Sequence, residues 1–417
     1  MKKVISLFVI TALVLPLLCM PISATEVNAV EYIVNNVDAL ADVYAQLHPD
    51  SDEVFEGQSV ELLLPVTIIS TNSTGTYIDF DGDNGYMVVQ GNNEVIAWEV
   101  SGDLTYLKDL ESTYFSIVDG FGYLNGGSFV LYETNAVDQE SVVAGSAYNG
   151  QDGDVAGDGI IWNYISYMSD RYDGYSFVGY DVLDSTFEYV NQDSFSFYHT
   201  ITANGALASE GNCGLSAVYA LLNYLGSSGK CNFPNSSDMG TYYPANDYFY
   251  EIYAEDPEYA IPNSVSVPRL YYAVRQCAVE NFIYQTGGFE TSYTDDVIEM
   301  VAEQYSNNVD ATIHSLGSFD SHVVPEIAED DPVYVCVSNS STYGTHAMVV
   351  TGYRIYKKTT TILGINYTNY VYLLRVNDNW QSDARAAALG RPTAARYLDL
   401  TAYGRNCIYI TVEVNES

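Results

Sequence analysis

The sequence is poor in positive charge. It has 15 Lys and Arg among 417 residues, against 54 Asp and Glu, which gives a formal net charge of −39. Such a chain repels nucleic acid and anionic lipid, because both carry dense negative charge. We therefore expect neither nucleic acid nor a membrane surface among the partners of the mature protein, and we attribute the charge to solubility.

Long apolar runs are absent after the first residues of the sequence. The one such run, residues 4–20, follows two lysines and is closed by the small residues Ser23 and Ala24. This order predicts a secretory signal peptide over residues 1–24. An uncleaved membrane anchor is the alternative, but 17 residues that include Pro16 fall short of a membrane span. We expect a secreted, extracellular protein.

Cysteine is scarce as well. Of the six cysteines, at positions 19, 213, 231, 277, 336 and 407, the first lies in the predicted signal peptide. Five remain, so in an oxidising exterior at least one thiol stays unpaired and is a candidate reactive group. The other four either form two disulfides or are buried as small apolar side chains, and the sequence leaves both options open.

The length and the pattern of the chain indicate two domains after the signal peptide. The first half is strand-like, with apolar runs at 60–69, 86–90, 94–100 and 128–133 and one probable helix at 35–47. A stretch rich in Gly and Asp at 145–159 is the predicted linker. The predicted boundaries are a β-rich domain over 25–145 and an α+β domain over 146–417. In the second domain we expect helices at 214–225, 268–282 and 294–306, then strands from Val333 onward.

Two features of the sequence receive a structural interpretation. The segment DFDGDNG at 79–85 resembles the start of a calcium loop, but its glycine falls one place late and no glutamate closes the ring, so a tight hairpin turn is favoured. The 39 tyrosines are scattered through both halves and are interpreted as half-buried strand residues.

The segment EGNCGLSAVYALLNYLG, residues 210–226, has the sharpest chemical signature. Apolar side chains recur at helical spacing, so we expect a helix that buries one face and carries Cys213 in its first turn. Free N–H groups and the helix dipole favour negative charge at this place, which favours a reactive thiolate. A structural buried cysteine, or half of a disulfide, is the alternative.

A thiolate nucleophile needs an imidazole beside it, to hold a thiolate–imidazolium pair and later to protonate the leaving amine. Among the five histidines, His346 stands at the start of the apolar run in GTHAMVVTGYR, where it begins a predicted buried strand. A structural role for such a histidine is the alternative. The following strand ends in VNDNW, where Asn377 or Asp378 could accept the second imidazole N–H and Trp380 could shield that bond from water.

These three blocks together resemble the papain-like cysteine peptidase superfamily, with the closest similarity to streptopain-type and C39-like peptidases. Cys213 and His346 are 133 positions apart, which fits the spacing of such enzymes. The resemblance implies a helical subdomain that carries the nucleophile Cys213 and an antiparallel β subdomain that carries the base His346. For the third residue, the streptopain pattern points to Asn377, whereas the other patterns point to Asp378. The resemblance implies a protein or peptide substrate, and no metal or organic cofactor.

The sequence departs from these families at the oxyanion hole. They usually carry Gln six residues before the cysteine, where this chain has Leu207. The N–H of Cys213 remains a donor, and Ser209, Asn212 or Asn204 are candidates for a side-chain donor. The alternatives to a peptidase are an inactive homologue that acts as an extracellular binding or adhesion protein, and a cell-wall peptidoglycan amidase or endopeptidase.

A second resemblance concerns the first half of the chain. Residues 74–104 are similar to the inhibitory prosegment of streptopain-type proteins, in which a GYMVV-like strand is followed by a VIAWEV-like strand. This similarity implies a zymogen, in which residues 25–145 are an intramolecular inhibitor that is removed by cleavage in the linker. An ordinary accessory β domain is the alternative.

Overall fold

The computed structural model describes residues 28–48, 54–69, 71–82, 84–91, 93–100, 113–116, 120–125, 128–131, 143–144, 161, 163–201, 207–285, 288–314, 319–340, 344–380, 382, 386–387, 394–400 and 407–415. The predicted signal peptide and linker lie outside these residues, as does the predicted boundary at 145/146, which stays a prediction. No helix in the described part of the chain is long and apolar enough to cross a bilayer.

The described residues fall into two compact units. The first comprises those up to Thr67, those from Ser73 to Glu111, and the segment Thr359–Asn369. The second comprises the described residues of Ile68–Asn72, Ser112–Lys358 and Tyr370–Ser417.

The first unit is a small sheet with two short helices. Its elements are α1 (Ala29–Asn35), α2 (Leu40–Leu47), β1 (Val60–Ile68), β2 (Ser73–Phe80), β3 (Tyr86–Gln90) and β4 (Glu94–Glu99). The predicted single helix over 35–47 is wrong in part, because the chain turns at Asn36, where φ is −137°, between two separate helices. The buried faces of both helices share one apolar cluster with β2, β3 and β4.

The predicted hairpin at residues 79–85 is present in this unit. Strands β2 and β3 pair antiparallel up to Asp79 and Tyr86. The Asp81 carboxylate accepts the main-chain N–H groups of Gln58 and Ser59 at 2.7 and 2.9 Å. These bonds hold the pKa of Asp81 below its usual value. The Asp81 carboxylate therefore ties the hairpin loop to the segment at Gln58 and Ser59.

Among its described residues, the second unit contains six further α-helices and most of the strands. The helices are α3 (Tyr164–Arg171), α4 (Cys213–Ser227), α5 (Tyr250–Ala254), α6 (Arg269–Glu280), α7 (Thr294–Gln304) and α8 (Val324–Ala328). The short strands are β5 (Tyr114–Ser116), β6 (Gly120–Asn125), β7 (Ser128–Leu131), β8 (Val143–Ala144), β9 (Ser176–Val182), β10 (His199–Ile201), β11 (Leu207–Ser209), β12 (Met239–Tyr242), β13 (Tyr259–Ala260), β14 (Val265–Pro268), β15 (Tyr284–Gln285) and β16 (Gly288–Glu290). The strands of the main sheet are β17 (Val309–His314), β18 (Val333–Ser340), β19 (Gly344–Ile362), β20 (Ile365–Asn377), β21 (Arg396–Asp399) and β22 (Cys407–Val414).

The core of this unit lies between α4 and the main sheet. The strand order is β17-β22-β18-β19-β20, with β9 added to β19 and β21 added to β20. The described pairings of β17, β18 and β22 are antiparallel, and the register places Val337 opposite His346. Helices α4, α6 and α7 and the strands from Val333 onward confirm the sequence prediction of a mixed helical and β architecture. Within the first unit, Asn366 and Tyr367 at the start of β20 pair parallel with Glu94 and Val95 of β4.

Candidate active site

Cys213 is the first residue of α4 and is fully buried. The sequence predicted a helix with one buried face, but all 13 residues from 213 to 225 are buried. The helix is enclosed because α6, α7, β16 and β18 all pack against it. Its first turn therefore presents main-chain N–H groups to a cysteine that is shielded from water.

Gly214 allows β16 to approach the start of α4. A Cβ on Gly214 would lie 2.6 Å from the Cβ of Phe289, a separation that real side chains do not reach. Phe289 is fully buried in β16. Glycine at this position therefore fixes the first turn of α4 directly against β16.

A buried ion-pair network holds the segment that leads into Cys213. Glu210, three residues upstream, accepts from Arg275 at 3.2 Å and from the main-chain N–H of Phe197 at 2.8 Å. The same guanidinium donates to Asp247 at 3.2 Å. Burial raises the pKa of Glu210, and Arg275 opposes that rise. The network anchors this segment to α6.

His346 lies near the beginning of β19 with its side chain fully buried. Its Nε2 donates to the main-chain oxygen of Asp378 at 2.6 Å. Because a carbonyl only accepts, Nε2 must carry a hydrogen, and Nδ1 is the basic nitrogen of the neutral ring. Burial lowers the pKa of His346 to about 4, and the bond to Asp378 opposes that shift. The ring is therefore neutral near pH 7.

Asn379 joins the cysteine segment to the histidine strand. Its Nδ2 donates to the main-chain oxygen of Cys213 at 3.2 Å and to that of Ala347 at 2.8 Å. Its Oδ1 accepts from Nδ2 of Asn377 at 2.9 Å. One buried amide thus holds Cys213 beside the neighbour of His346, although the two are far apart in the sequence. The sequence interpretation passed over Asn379, which has a left-handed φ of 58° that asparagine tolerates better than most residues.

The side chains of Asp378 and Trp380 complete this corner of the site. Asp378 Oδ1 accepts the main-chain N–H of Trp380 at 3.1 Å, and Oδ2 lies 3.7 Å from Nε of the buried Arg396. The Trp380 and His346 ring centroids are 5.1 Å apart. Asn377, Asp378 and Trp380 thus lie in the segment beside the histidine, and the hydrogen bond to its Nε2 comes from the Asp378 main chain. Arg396 was not anticipated from the sequence.

Gln192 is a further residue that the sequence analysis missed. It begins a short 3-10 helix over Gln192–Phe195 and is fully buried. Its main-chain N–H donates to Asn379 O at 2.8 Å, and its main-chain oxygen accepts from Asn212 Nδ2 at 3.1 Å. Gln192 is therefore tied to the residue before Cys213 and to the bridging Asn379. The signal for it was weak, because it lies 21 residues before the cysteine and not six.

The other candidates for an oxyanion donor are placed as follows. Ser209 ends β11, where it pairs with His199, and Leu207 pairs with Ile201. The Asn212 amide donates to Tyr271 Oη at 3.0 Å as well as to Gln192 O, so its N–H groups are engaged within the protein. Asn204 lies outside the described residues.

The four described cysteines other than Cys213 carry reduced thiols. None of the five described cysteines is in a disulfide. Burial raises the pKa of Cys231 and of Cys277 to about 11. Cys336 is fully buried in β18, and burial raises the pKa of its thiol still further. At these positions the structure agrees with buried thiols rather than disulfides.

The structure thus brings a buried cysteine at a helix start and a strand that carries a buried histidine to one buried asparagine. Residues 185–389 match the family model described as Peptidase_C39 like family. This match confirms the predicted resemblance of the region to the papain-like cysteine peptidase superfamily and implies a papain-like fold there. The particular closeness to streptopain-type peptidases stays a prediction. No curated protein matches the chain at a significant level.

The matched family suggests that the protein is a cysteine peptidase, and the matched range contains Gln192, Cys213, His346, Asp378 and Trp380. Within the described part of the chain, no cluster of His, Cys, Asp and Glu has the composition of a metal site.

Proposed function

We propose that the protein is a cysteine peptidase that hydrolyses peptide bonds, with Cys213 as nucleophile and His346 as base. The observation that carries the proposal is the Asn379 amide, which donates to Cys213 O at 3.2 Å and to Ala347 O at 2.8 Å. This bridge supports a close approach of the thiol and the imidazole. The N-terminal turn of α4 favours a thiolate at Cys213.

In the proposed mechanism, Nδ1 of His346 takes the thiol proton as the sulfur attacks the substrate carbonyl. The same nitrogen then protonates the departing amine, which leaves an acyl group on Cys213. Water hydrolyses this thioester, again with His346 as base. Throughout the cycle, Nε2–H keeps its bond to the Asp378 carbonyl, which fixes the orientation of the ring.

The residues around the histidine receive positioning roles in this proposal. Asp378 orients His346 through its main-chain oxygen, while Asn377 orients the bridging Asn379. Trp380 covers the imidazole and keeps water from the short hydrogen bond. The pair of Asp378 with Arg396 supports the loop that carries both contacts.

For the oxyanion hole we propose the main-chain N–H of Cys213 together with the side chain of Gln192. The support is the placement of Gln192, whose main chain bonds to both Asn212 and Asn379. A glutamine from this earlier segment would replace the one expected at position 207. Gln192→Ala should lower kcat by about 100 to 1,000-fold without unfolding the protein. An unchanged kcat in that variant would contradict the role of Gln192 and leave Ser209 as the candidate for the side-chain donor of the oxyanion hole.

The first part of the chain is proposed to inhibit the enzyme in a zymogen. In support, β8 pairs antiparallel with β16, with Ala144 opposite Phe289. Phe289 also packs on Gly214, next to Cys213. A segment that immediately precedes the predicted linker thus lies along a strand that packs on the first turn of α4, where we propose that it obstructs a substrate.

We further propose that the protein is exported, on the basis of the signal peptide predicted over residues 1–24. Determination of the N-terminus of protein recovered from culture medium tests this proposal. A mature chain that starts after residue 24 supports it, whereas protein found only within cells with Met1 retained contradicts it.

The test of the peptidase proposal is hydrolysis of casein by the processed protein and by two variants. Cys213→Ala and His346→Ala should each abolish hydrolysis while circular dichroism and the melting temperature show a folded chain. Cys231→Ala is the matched control, because Cys231 is a half-buried thiol outside the site, and it should retain full activity. Full hydrolysis by folded Cys213→Ala would contradict the proposal.

A further inference from the structure

The second unit has an open groove beside the C-terminal end of α6. Its volume is about 440 Å³, and it is lined by residues of α6, by the loop before α5, and by Phe282. The floor contains the half-buried Tyr272 and the buried Arg275. The exposed side chains at the rim include Tyr248 and Glu280.

Phe282 occupies the left-handed position of a Schellman motif that ends α6. It follows the C-cap of α6 with a φ of 61°, and it is 65% exposed. Its N–H donates to Val279 O, and the next N–H, of Ile283, donates to Ala278 O. Glycine is the usual residue at such a left-handed helix end, because a side chain there is strained. A phenylalanine in this position is costly to the fold and gains little from burial.

A second exposed aromatic side chain lines the same groove. Tyr248 is 67% exposed. The ring of Tyr272 stacks on Tyr242 with centroids 3.6 Å apart, which fixes the floor. The groove therefore offers rigid aromatic surface to a ligand, and two of its three rings are mostly open to solvent.

The charged residues that line the groove favour a cationic ligand. Asp247 and Glu280 line it, and Gln276 donates to Oε1 of Glu280 at 2.8 Å. Arg275 carries the one positive charge among the described lining residues, but it is buried and bonds to Glu210 and Asp247. An incoming cation would meet aromatic faces and carboxylates rather than an exposed positive group. The net charge of −39 acts in the same direction.

The groove is connected to the candidate active site through one ion pair. Arg275 at its floor contacts Glu210 at 3.2 Å, and Glu210 lies three residues before Cys213. Three extended residues span about 10 Å, so Glu210 lies within about 10 Å of the nucleophile, and the groove begins on the other side of its ion pair with Arg275.

We propose that this groove is a binding subsite for an arginine or lysine side chain of the peptide substrate. That the ligand is a substrate rests on the proposed peptidase function, whereas its binding can be measured without turnover. Phe282 and Tyr248 would contact the aliphatic stem and the cationic head of the side chain, and Glu280 would pair with its charge.

The test uses Cys213→Ala protein, full-length and after removal of the first part of the chain by limited proteolysis, and two fluorescein-labelled hexapeptides that differ at one position; the affinities of the processed form decide the outcome. One carries arginine and the other carries citrulline, which has nearly the same shape without the charge. By fluorescence anisotropy, the arginine peptide should bind at least tenfold more tightly. Glu280→Gln should remove most of this difference. Phe282→Gly should weaken binding of the arginine peptide at least fivefold with a melting temperature no lower than that of the parent.

Phe177→Ala is the matched control, because Phe177 is an aromatic side chain of β9 that is 50% exposed and lies outside the groove. It should leave binding unchanged. Equal affinity for the two peptides, or unweakened binding by folded Phe282→Gly, would overturn the subsite. If the peptides bind as expected but the processed wild type hydrolyses nothing, the subsite stands and the peptidase proposal fails.

Discussion

The buried network around Arg275 makes a strong prediction about stability. The Arg275 side chain is 1% exposed and the Glu210 side chain 0% exposed, with their charged atoms 3.2 Å apart. Replacement of Arg275 by Met would leave the Glu210 carboxylate buried without its counter-ion. Asp247 would lose the same charged donor, which it shares with Glu210. Removal of one partner of a buried pair costs about 3 to 5 kcal/mol. We expect Arg275→Met to lose about that much in free energy of unfolding.

The assay is urea unfolding at pH 7, followed by circular dichroism, with thermal melts in parallel. A loss of this size should lower the melting temperature by roughly 6 to 20 °C. Arg269→Met is the matched control in the same helix, because Arg269 pairs with Asp238 at 2.9 Å while their side chains are 58% and 51% exposed. Exposed pairs contribute less than about 1 kcal/mol. If both variants lose the same small amount, the network is not what holds the segment before Cys213.

Three further perturbations follow from the structure. Gly214→Ala should cost about 1 to 3 kcal/mol by overpacking against Phe289, and urea unfolding with no measurable loss would contradict that contact. Burial lowers the pKa of His346 to about 4, so the contribution of its neutral form to stability should fall as pH drops from 6.5 toward 4. Between pH 7 and 4.5, the free energy of unfolding of wild type should fall by about 2 to 3 kcal/mol more than that of His346→Gln. Parallel pH profiles of the two proteins would refute this. Burial, followed by nearby carboxylates, raises the pKa of Glu326 from its ordinary value of 4.5 to about 7, so the cost of burying its charge is present above pH 7 and disappears as pH falls from 7 to 4.5. Glu326→Gln should melt higher than wild type at pH 8.5 but not at pH 4, and an equal gain at both pH values would contradict this.

Local patterns predicted the helices around the site well. Helix α4 was expected over 214–225 and spans Cys213–Ser227, while α6 and α7 fall within one or two residues of their predicted ranges. These segments have apolar residues at helical spacing, so the signal is contained in the segment itself. The short α3 and strand β9, Ser176–Val182, lie in a Tyr-rich region without clear periodicity and were not predicted.

The candidate site was predicted where chemistry and local sequence coincide, as at Cys213 and His346. Gln192 and Asn379 were missed because their roles depend on tertiary contacts. Gln192 reaches the site through a main-chain bond to Asn379 and a bond from Asn212. Asn379 acts across the gap between α4 and β19. No spacing rule within a single segment reveals contacts of this kind.

The central claim, that Cys213 is the nucleophile, is tested most directly by labelling with an epoxysuccinyl inhibitor before and after limited proteolysis, with mass mapping of the modified residue. We predict fast labelling at Cys213 after removal of the first part of the chain and little before it. The other four described cysteines should stay unmodified. A folded, processed protein that never labels, or that labels first at another thiol, would contradict the account.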